Sequence, residues 1–384
     1  MSNRKLMMLG VAAAVMAVLA VLTSQVSKQT PSFSGRNVNL VQGLDTSKIA
    51  TVVLVSKDEE TKITRNAKGG YVVTNKENYP ALVNEINGLV AEILDIKTVE
   101  RVTSSAQNHK DLGVSEDTAR YIVKFLNAEA KPIEGFGGIV ISETNPDTQK
   151  VYVRLLASDD VYLVENAPWP RMSSMDYIDK RLTSTERDKM QTVTVTGPDG
   201  AYTLQREGDS EEIVLASGLP DGKKWKGSDY RQVFGALSSL QFADVQSAAK
   251  AEGLTFDTTY VARLKDSTVY TFKIAKKGDK TFLTADAAFT DTTEVTVKRD
   301  GSESDEELKA KEAKLLARDA AQKFRDRHKG WVYEIALFKA GDLTKPLADL
   351  LEDKKDEAAA QVVDVPDLAD MISVESVTAD PNQF

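Results

Sequence analysis

The chain has no cysteine among its 384 residues, so it forms no disulfide, carries no thiol chemistry and cannot begin as a lipid-modified lipoprotein. It has only two histidines, His109 in QNHKD and His328 in DRHKG. Each stands among polar neighbours and reads as a surface residue. No HExxH, GxSxG or GxxxxGK[ST] pattern occurs, so zincin, hydrolase-elbow and P-loop chemistries lack their signatures. A net charge of −9 leaves no basic excess to neutralise phosphates, which argues against a nucleic-acid partner. Beyond Thr30 no apolar run is long enough to span a bilayer.

Before Thr30 there is one such run. Leu6 to Leu22, LMMLGVAAAVMAVLAVL, holds no charge and follows Arg4 and Lys5. As a helix it is about 26 Å long, slightly short of the roughly 30 Å hydrocarbon core, and Thr23 to Val26 can extend it into the headgroups. A cleaved signal peptide has the same order of charged start and apolar middle. Two features argue against cleavage: the run exceeds the usual length of that segment, and TSQVSKQ after it offers no clean small-x-small site. The expectation is an anchor over 1–28 with its N-terminus cytoplasmic, because lysine and arginine stay on that side, and the rest of the chain periplasmic.

A hydrophobic content of 41% supports a sizeable core, with length for about two domains. After a polar linker, 29–44, the β-branched run Ile49–Val55 reads as a strand, followed by Thr61–Arg65 and Tyr71–Thr74. Tyr79–Leu94 reads as an amphipathic helix with Pro80 in its first turn, since Leu82, Val83, Ile86, Leu89, Val90, Ile93 and Leu94 share one face. Strand character returns at Tyr121–Leu126, Gly138–Ser142, Val151–Leu156 and Val161–Val164. The order then begins again. Thr192–Thr196 and Ala201–Gln205 flank a turn, a second helix is expected over Asp229–Leu240 with Ser228 as its cap, and strands follow at Tyr260–Leu264, Val269–Ile274, Thr281–Thr284 and Glu294–Lys298. RYIVKFL (120–126) parallels TYVARLK (259–265), and YVRLLASDDVYLVEN (152–166) parallels FKIAKKGDKTFLTAD (272–286). An internal duplication accounts for this pattern; two unrelated α+β domains are the alternative.

Ser304–His328 reads as a third helix, opened by a Ser304/Glu307 capping box. Its apolar positions are sparse (Leu308, Leu315, Leu316, Ala320, Phe324) and charges of both signs alternate over the rest, as on a solvated helix or a partner-facing arm. WVYEIALF (331–338) reads as a strand. From Glu352 onward nine acidic residues face only Lys354 and Lys355, which reads as an acidic tail. The fold class expected is therefore α+β. An N-terminal transmembrane helix precedes two related domains of antiparallel sheet, 45–188 and 189–350, each with one packed amphipathic helix. A charged helix lies at 304–328 and a tail at 351–384.

Several local features bear on chemistry. Gly135-Phe-Gly-Gly138 echoes a nucleotide loop but reads better as a hairpin turn, and GLPDGKK (218–224) lacks phosphate-loop spacing. Asp159-Asp160 and Glu211-Glu212 sit in turns without further spaced oxygen ligands. Trp225, Tyr230 and Phe234 read as core at a helix–sheet junction rather than a ligand groove. Tyr177 and Arg181 read as a structural connection between the domains. No catalytic, cofactor-binding or metal-ligating residue is assigned.

The order of phrases resembles one known family. Together with the N-terminal apolar run, DLGV (111–114), VYVRLLASDDVYLV (151–164), MDYIDKRL (175–182), TVTVTGPDGAYTLQRE (192–207) and GALSSLQFADV (235–245) are similar to the DUF4340 envelope proteins. The resemblance runs over most of 49–338 and rests on the order, since no single phrase is specific. It implies a role beside an ABC transporter and its gliding-motility-type auxiliary subunit, and it carries no catalytic residues. The expected function is that of a non-catalytic, membrane-anchored periplasmic accessory protein that binds an inner-membrane partner, such as transporter subunits, through sheet edges or the charged helix. A periplasmic binding module for a small or lipidic ligand is the alternative, and an enzyme using carboxylates is a third reading.

Overall fold

The computed structural model describes residues 38–146, 149–208, 210–296 and 304–354. The expected anchor, 1–28, lies outside the described residues. Among those described, no helix is long and apolar enough to cross a membrane. The chain forms two compact units. The first takes residues up to 182 together with 241–254 and 330–335; the second takes 183–240, 255–329 and the residues from 336 onward.

The first unit is built on a run of hairpins. Its strands are β1 (Val38–Asn39), β2 (Thr51–Val55), β3 (Glu60–Arg65), β4 (Tyr71–Val73), β5 (Tyr79–Pro80), β6 (Lys97–Thr103), β7 (Tyr121–Leu126), β8 (Gly138–Ile141), β9 (Tyr152–Leu155) and β10 (Val161–Glu165). They form one sheet in the order β1-β6-β10-β9-β8-β7-β2-β3-β4-β5. Short β-branched runs separated by turn residues pair with their sequence neighbours, so β2–β3–β4–β5 and β7–β8–β9–β10 are both meanders. The β2–β7 ladder, from Thr51↔Leu126 to Val55↔Ile122, joins them. Thr51, Val52, Val53 and Leu54 are all buried, so β2 is covered on both faces, and its unbroken apolar run reflects that position. The helix α1 (Val83–Leu94) buries Ile86, Leu89 and Ile93, spaced three and four apart. Burying each contributes about 1.5–3 kcal/mol.

This helix starts four residues later than the periodicity predicts, and Pro80 lies in a strand. Glu77 and Asn78 both take left-handed backbone (φ 55° and 65°), turning the chain back so that Val72 faces Pro80 and Val73 faces Tyr79. Proline is tolerated there because β5 ends the sheet. Strand β6, KTVERVT, was not expected, because its charges hide the alternation that its pairing with β10 requires.

Strand β11 (Arg181–Thr183) closes this part of the chain. The second unit follows with β12 (Met190–Gly197), β13 (Gly200–Arg206), β14 (Ile213–Leu215), β15 (Lys223–Trp225) and the helix α2 (Asp229–Phe234). Later in the chain come β16 (Leu240–Ser247), β17 (Thr258–Leu264), β18 (Thr268–Lys277), β19 (Lys280–Phe289), the helix α3 (Asp305–His328), β20 (Trp331–Ile335), the helices α4 (Leu337–Thr344) and α5 (Leu347–Leu350), and β21 (Leu351–Asp353); of these, β16 beyond Leu240 and β20 belong to the first unit. Within the second unit the order β19-β18-β17-β12-β13-β14 is antiparallel throughout. The same order appears in the first unit as β9-β8-β7-β2-β3-β4. The antiparallel pair β16–β20 has the pattern of β6–β10, but its residues 242–247 and 331–335 fall in the first unit too. RYIVKFL and TYVARLK fall on the equivalent strands β7 and β17. The second sequence parallel places β9 against β18, one strand out of step with this order.

Two further expectations change. The helix over Asp229–Leu240 stops at Gly235 and continues as a 3-10 turn, Ala236–Ser239, and the Ser228 side chain makes no capping bond. Glycine is a weak helix former, and the Arg187 guanidinium packs where a Gly235 Cβ would stand. Residues 291–296 form no strand, and 297–298 lie outside the described residues. The stretch expected as an acidic tail opens with β21, whose Asp353 and Glu352 face Lys223 and Lys224 of β15.

Candidate interaction surface

Several of the residues that bear on chemistry are bonded or packed within the fold. His109 and His328 are not surface residues: they are 7% and 3% exposed. His109 Nε2 lies 2.9 Å from the Asp159 carbonyl, which can only accept, so Nε2 carries the hydrogen. His328 closes α3 with its ring 4.3 Å from that of Phe324. In the Gly135–Gly138 turn the N–H groups of Gly137 and Gly138 bond to the Ile133 and Phe136 carbonyls, so the chain itself uses them. Lys223 and Lys224 of the 218–224 loop pair with Asp353 and Glu352 at 2.6 and 3.4 Å. Trp225 stacks on Tyr230 at 4.3 Å, and Tyr230 and Phe234 are buried, as core packing requires. Among the described residues no group of three or more His, Asp or Glu could hold a metal ion.

The shared phrases are scaffolding too. The DLGV turn ends on Val114, whose carbonyl accepts from Arg154 Nε at 3.1 Å. Arg154 belongs to VYVRLLASDDVYLV and is only 8% exposed; its Nη1 donates to the carbonyls of Leu155 and Ser158 at 3.3 and 3.2 Å. Burial lowers its pKa, and Asp159 and Glu116 oppose that. Three carbonyls therefore hold a cation that has lost most of its water, and two separated phrases are tied together by it. Val114 also packs in a cluster with Ala119, Ile122, Val140 and Val161. In MDYIDKRL, Tyr177 is buried and donates to the Arg171 carbonyl at 2.9 Å; burial pushes its phenol well above the usual range. Arg181 instead pairs with Asp179 at 3.1 Å. In GALSSLQFADV, Ala236, Leu237, Leu240, Phe242 and Val245 are all buried.

The exposed large apolar side chains include Trp169, Leu337 and Phe338 of α4, and Leu308, Leu315 and Leu316 along α3. Its capping box forms as the sequence predicts, with Glu307 N–H donating to Ser304 Oγ and Ser304 N–H to Glu307 Oε2. The helix is not free of the unit. Ala317, Ala321 and His328 are buried, and Phe324 meets Tyr270 of β18 edge-on at 4.9 Å. Cations hold the same side. Lys311 Nζ donates to the Thr296 carbonyl at 2.6 Å, Lys314 reaches Asp291 at 2.8 Å, and Arg325 pairs with Asp286 of β19 at 2.9 Å. Bonds from Lys314 and from the Thr293 N–H bring the Asp291 carboxyl down to about 2.

The docked positions 314, 317, 321, 324 and 328 alternate in steps of three and four. So do 305, 308, 312, 315, 319, 322 and 326, on the opposite side: Asp, Leu, Glu, Leu, Asp, Gln, Asp. Leu308, Leu315 and the adjacent Leu316 are 40%, 47% and 61% exposed. Of the apolar positions that the sequence picks out on this helix, Phe324 docks, whereas the three leucines and Ala320 are exposed; the buried residues are Ala317, Ala321 and His328.

Two large, mostly antiparallel sheets, a two-stranded one, a few short helices and one long charged helix make an α+β fold. A family model described as a domain of unknown function, DUF4340, matches residues 72–259, and this part of the chain belongs to that family. No curated protein and no solved structure matches the chain.

Proposed function

We propose that the protein is a membrane-anchored accessory subunit of the cell envelope that acts by binding an inner-membrane partner, without turning over a substrate. The observation that carries this reading is α3: a helix docked on one side by alanines, an aromatic ring and ion pairs, with leucines and carboxylates left outward on the other. Exposed apolar side chains arranged along one ridge are a recognition feature rather than a packing one. The uncharged run Leu6–Leu22 behind Arg4 and Lys5 supports confinement to the membrane, N-terminus inside, with the remainder in the periplasm. Confinement raises effective concentration, so a weak contact suffices. The absence of hydrolase, zincin and P-loop patterns supports a binding role. Association with an ABC-type transporter is the particular form of this reading that the family resemblance favours.

A reporter fused after Phe384 should be active only when exported. Crosslinking in intact membranes, repeated with 1–28 replaced by an unrelated anchor, should recover the same membrane protein. A full-length chain found free in the cytoplasm, or substrate turnover with no membrane partner recovered, would overturn the proposal.

A further inference from the structure

We infer that the outer ridge of α3 binds a basic amphipathic helix of the partner, with leucine-class residues and Lys or Arg in heptad spacing. This deepens the accessory reading and rests on it. As a sequence α3 looks charge-balanced; docking turns three of its cations inward, while Lys309, Arg318, Lys323 and Arg327 stay exposed. Lys311, Lys314 and Arg325 are turned to the β19 side, bonded to Thr296, Asp291 and Asp286. Left on the outer side is a carboxylate every seven residues, at Asp305, Glu312, Asp319 and Asp326, alternating with Leu308 and Leu315. Lys323 pairs with Asp319 at 2.6 Å and Gln322 donates to Asp326 at 3.0 Å, so these two carboxylates are already positioned.

The ridge from 305 to 326 is about 30 Å long, enough for some six turns of a facing helix. Three-and-four spacing is the geometry that a second helix fills by knobs into holes, and flanking charges set which helix it accepts. The acid row chooses among occupants. A second copy of α3 would bring carboxylates against carboxylates, and like charges in register are disfavoured. An anionic bilayer surface is repelled for the same reason, and amphipathic helices that lie on membranes are basic where this one is acidic. A helix with a cationic row answers both the charge and the leucines.

The test places a photocrosslinking residue at Leu316 of the full-length chain in intact membranes, with others at Asp199, Val102 and Phe338, and maps the crosslinked peptides. Position 316 should capture a segment of a membrane protein carrying Leu or Ile and Lys or Arg at heptad spacing, and Asp199 should not. The double variant E312K/D319K should lower the yield about tenfold, and the milder E312Q/D319N should lower it less. Both variants should keep the unfolding midpoint of the parent, since Glu312 and Asp319 are exposed. Capture of lipid, of a second copy or of an acidic segment would overturn the inference, as would an undiminished yield from both variants. Partner capture from Val102 or Phe338 but not from 316 would overturn it while leaving the accessory reading intact. No membrane-protein capture from any position would sink both.

Discussion

Replacing Arg154 by methionine tests whether the family's shared phrases are structural. Methionine keeps most of the buried volume and removes the cation and its donors. Three carbonyl acceptors lose a partner: Val114, in a buried bond, and Leu155 and Ser158, in partly buried ones, at 3.1, 3.3 and 3.2 Å. A bond to a charged donor contributes about 1.5–3 kcal/mol net, and partly solvated bonds less than half of that. The three together come to about 3–5 kcal/mol. Relief from burying a guanidinium offsets part of this, because burial is the main cause of its lowered pKa. The expected loss is about 2–3 kcal/mol. For a unit of this size that is roughly 5–10 °C in Tm. Arg154→Lys, which can reach fewer of the carbonyls at once, should fall between. Urea denaturation of the full chain in detergent, followed by tryptophan fluorescence in a Trp225→Phe background, reports the first unit through Trp169 and Trp331. Because the acceptors are neutral carbonyls, the loss should change little with salt, unlike that from a surface ion pair. A loss below about 0.5 kcal/mol, with partner binding abolished in a fully folded variant, would refute the structural assignment and make Arg154 a recognition residue.

Gly138→Ala should prevent the β7–β8 pairing, because its φ is 141° and a Cβ there would collide with the Val123 carbonyl; loss of cooperative unfolding of the first unit checks this. On α3, Leu316→Ser should change stability by no more than about 0.5 kcal/mol, whereas Ala321→Asp, at a site 2% exposed, should cost several kcal/mol and detach the helix, as amide exchange over 305–328 would report. Asp291 has a folded pKa of about 2 against an ordinary 3.8. Its contribution to docking α3 is therefore complete above about pH 4 and lost as pH falls toward 2. Amide exchange in α3 should rise across that window, and Asp291→Asn should flatten the response.

Local elements are legible in the sequence wherever one face of an element is buried. β7 follows its apolar positions residue for residue, α1 buries the predicted Ile86, Leu89 and Ile93, and the Ser304/Glu307 box starts α3 where its side chains can satisfy the first N–H groups. The phrases that mark the family were legible as well, since they are dense in residues that pack or turn. Tertiary structure alone decided what depends on distant partners. The β4–β5 turn overrode the helical period at Tyr79, the close approach of Arg187 at Gly235 cut α2 short, and β6 became a strand because β10 supplied its ladder. Burial of His109 against the distant Asp159 carbonyl had no local signal. The candidate surface was half legible: the leucines and charges of α3 could be counted, but not which face would dock. That was set by the side chains small enough to lie close to β18 and β19, Ala317 and Ala321. Their fit turned the longer leucines outward and drew three cations toward the carbonyl and carboxylate oxygens beneath them.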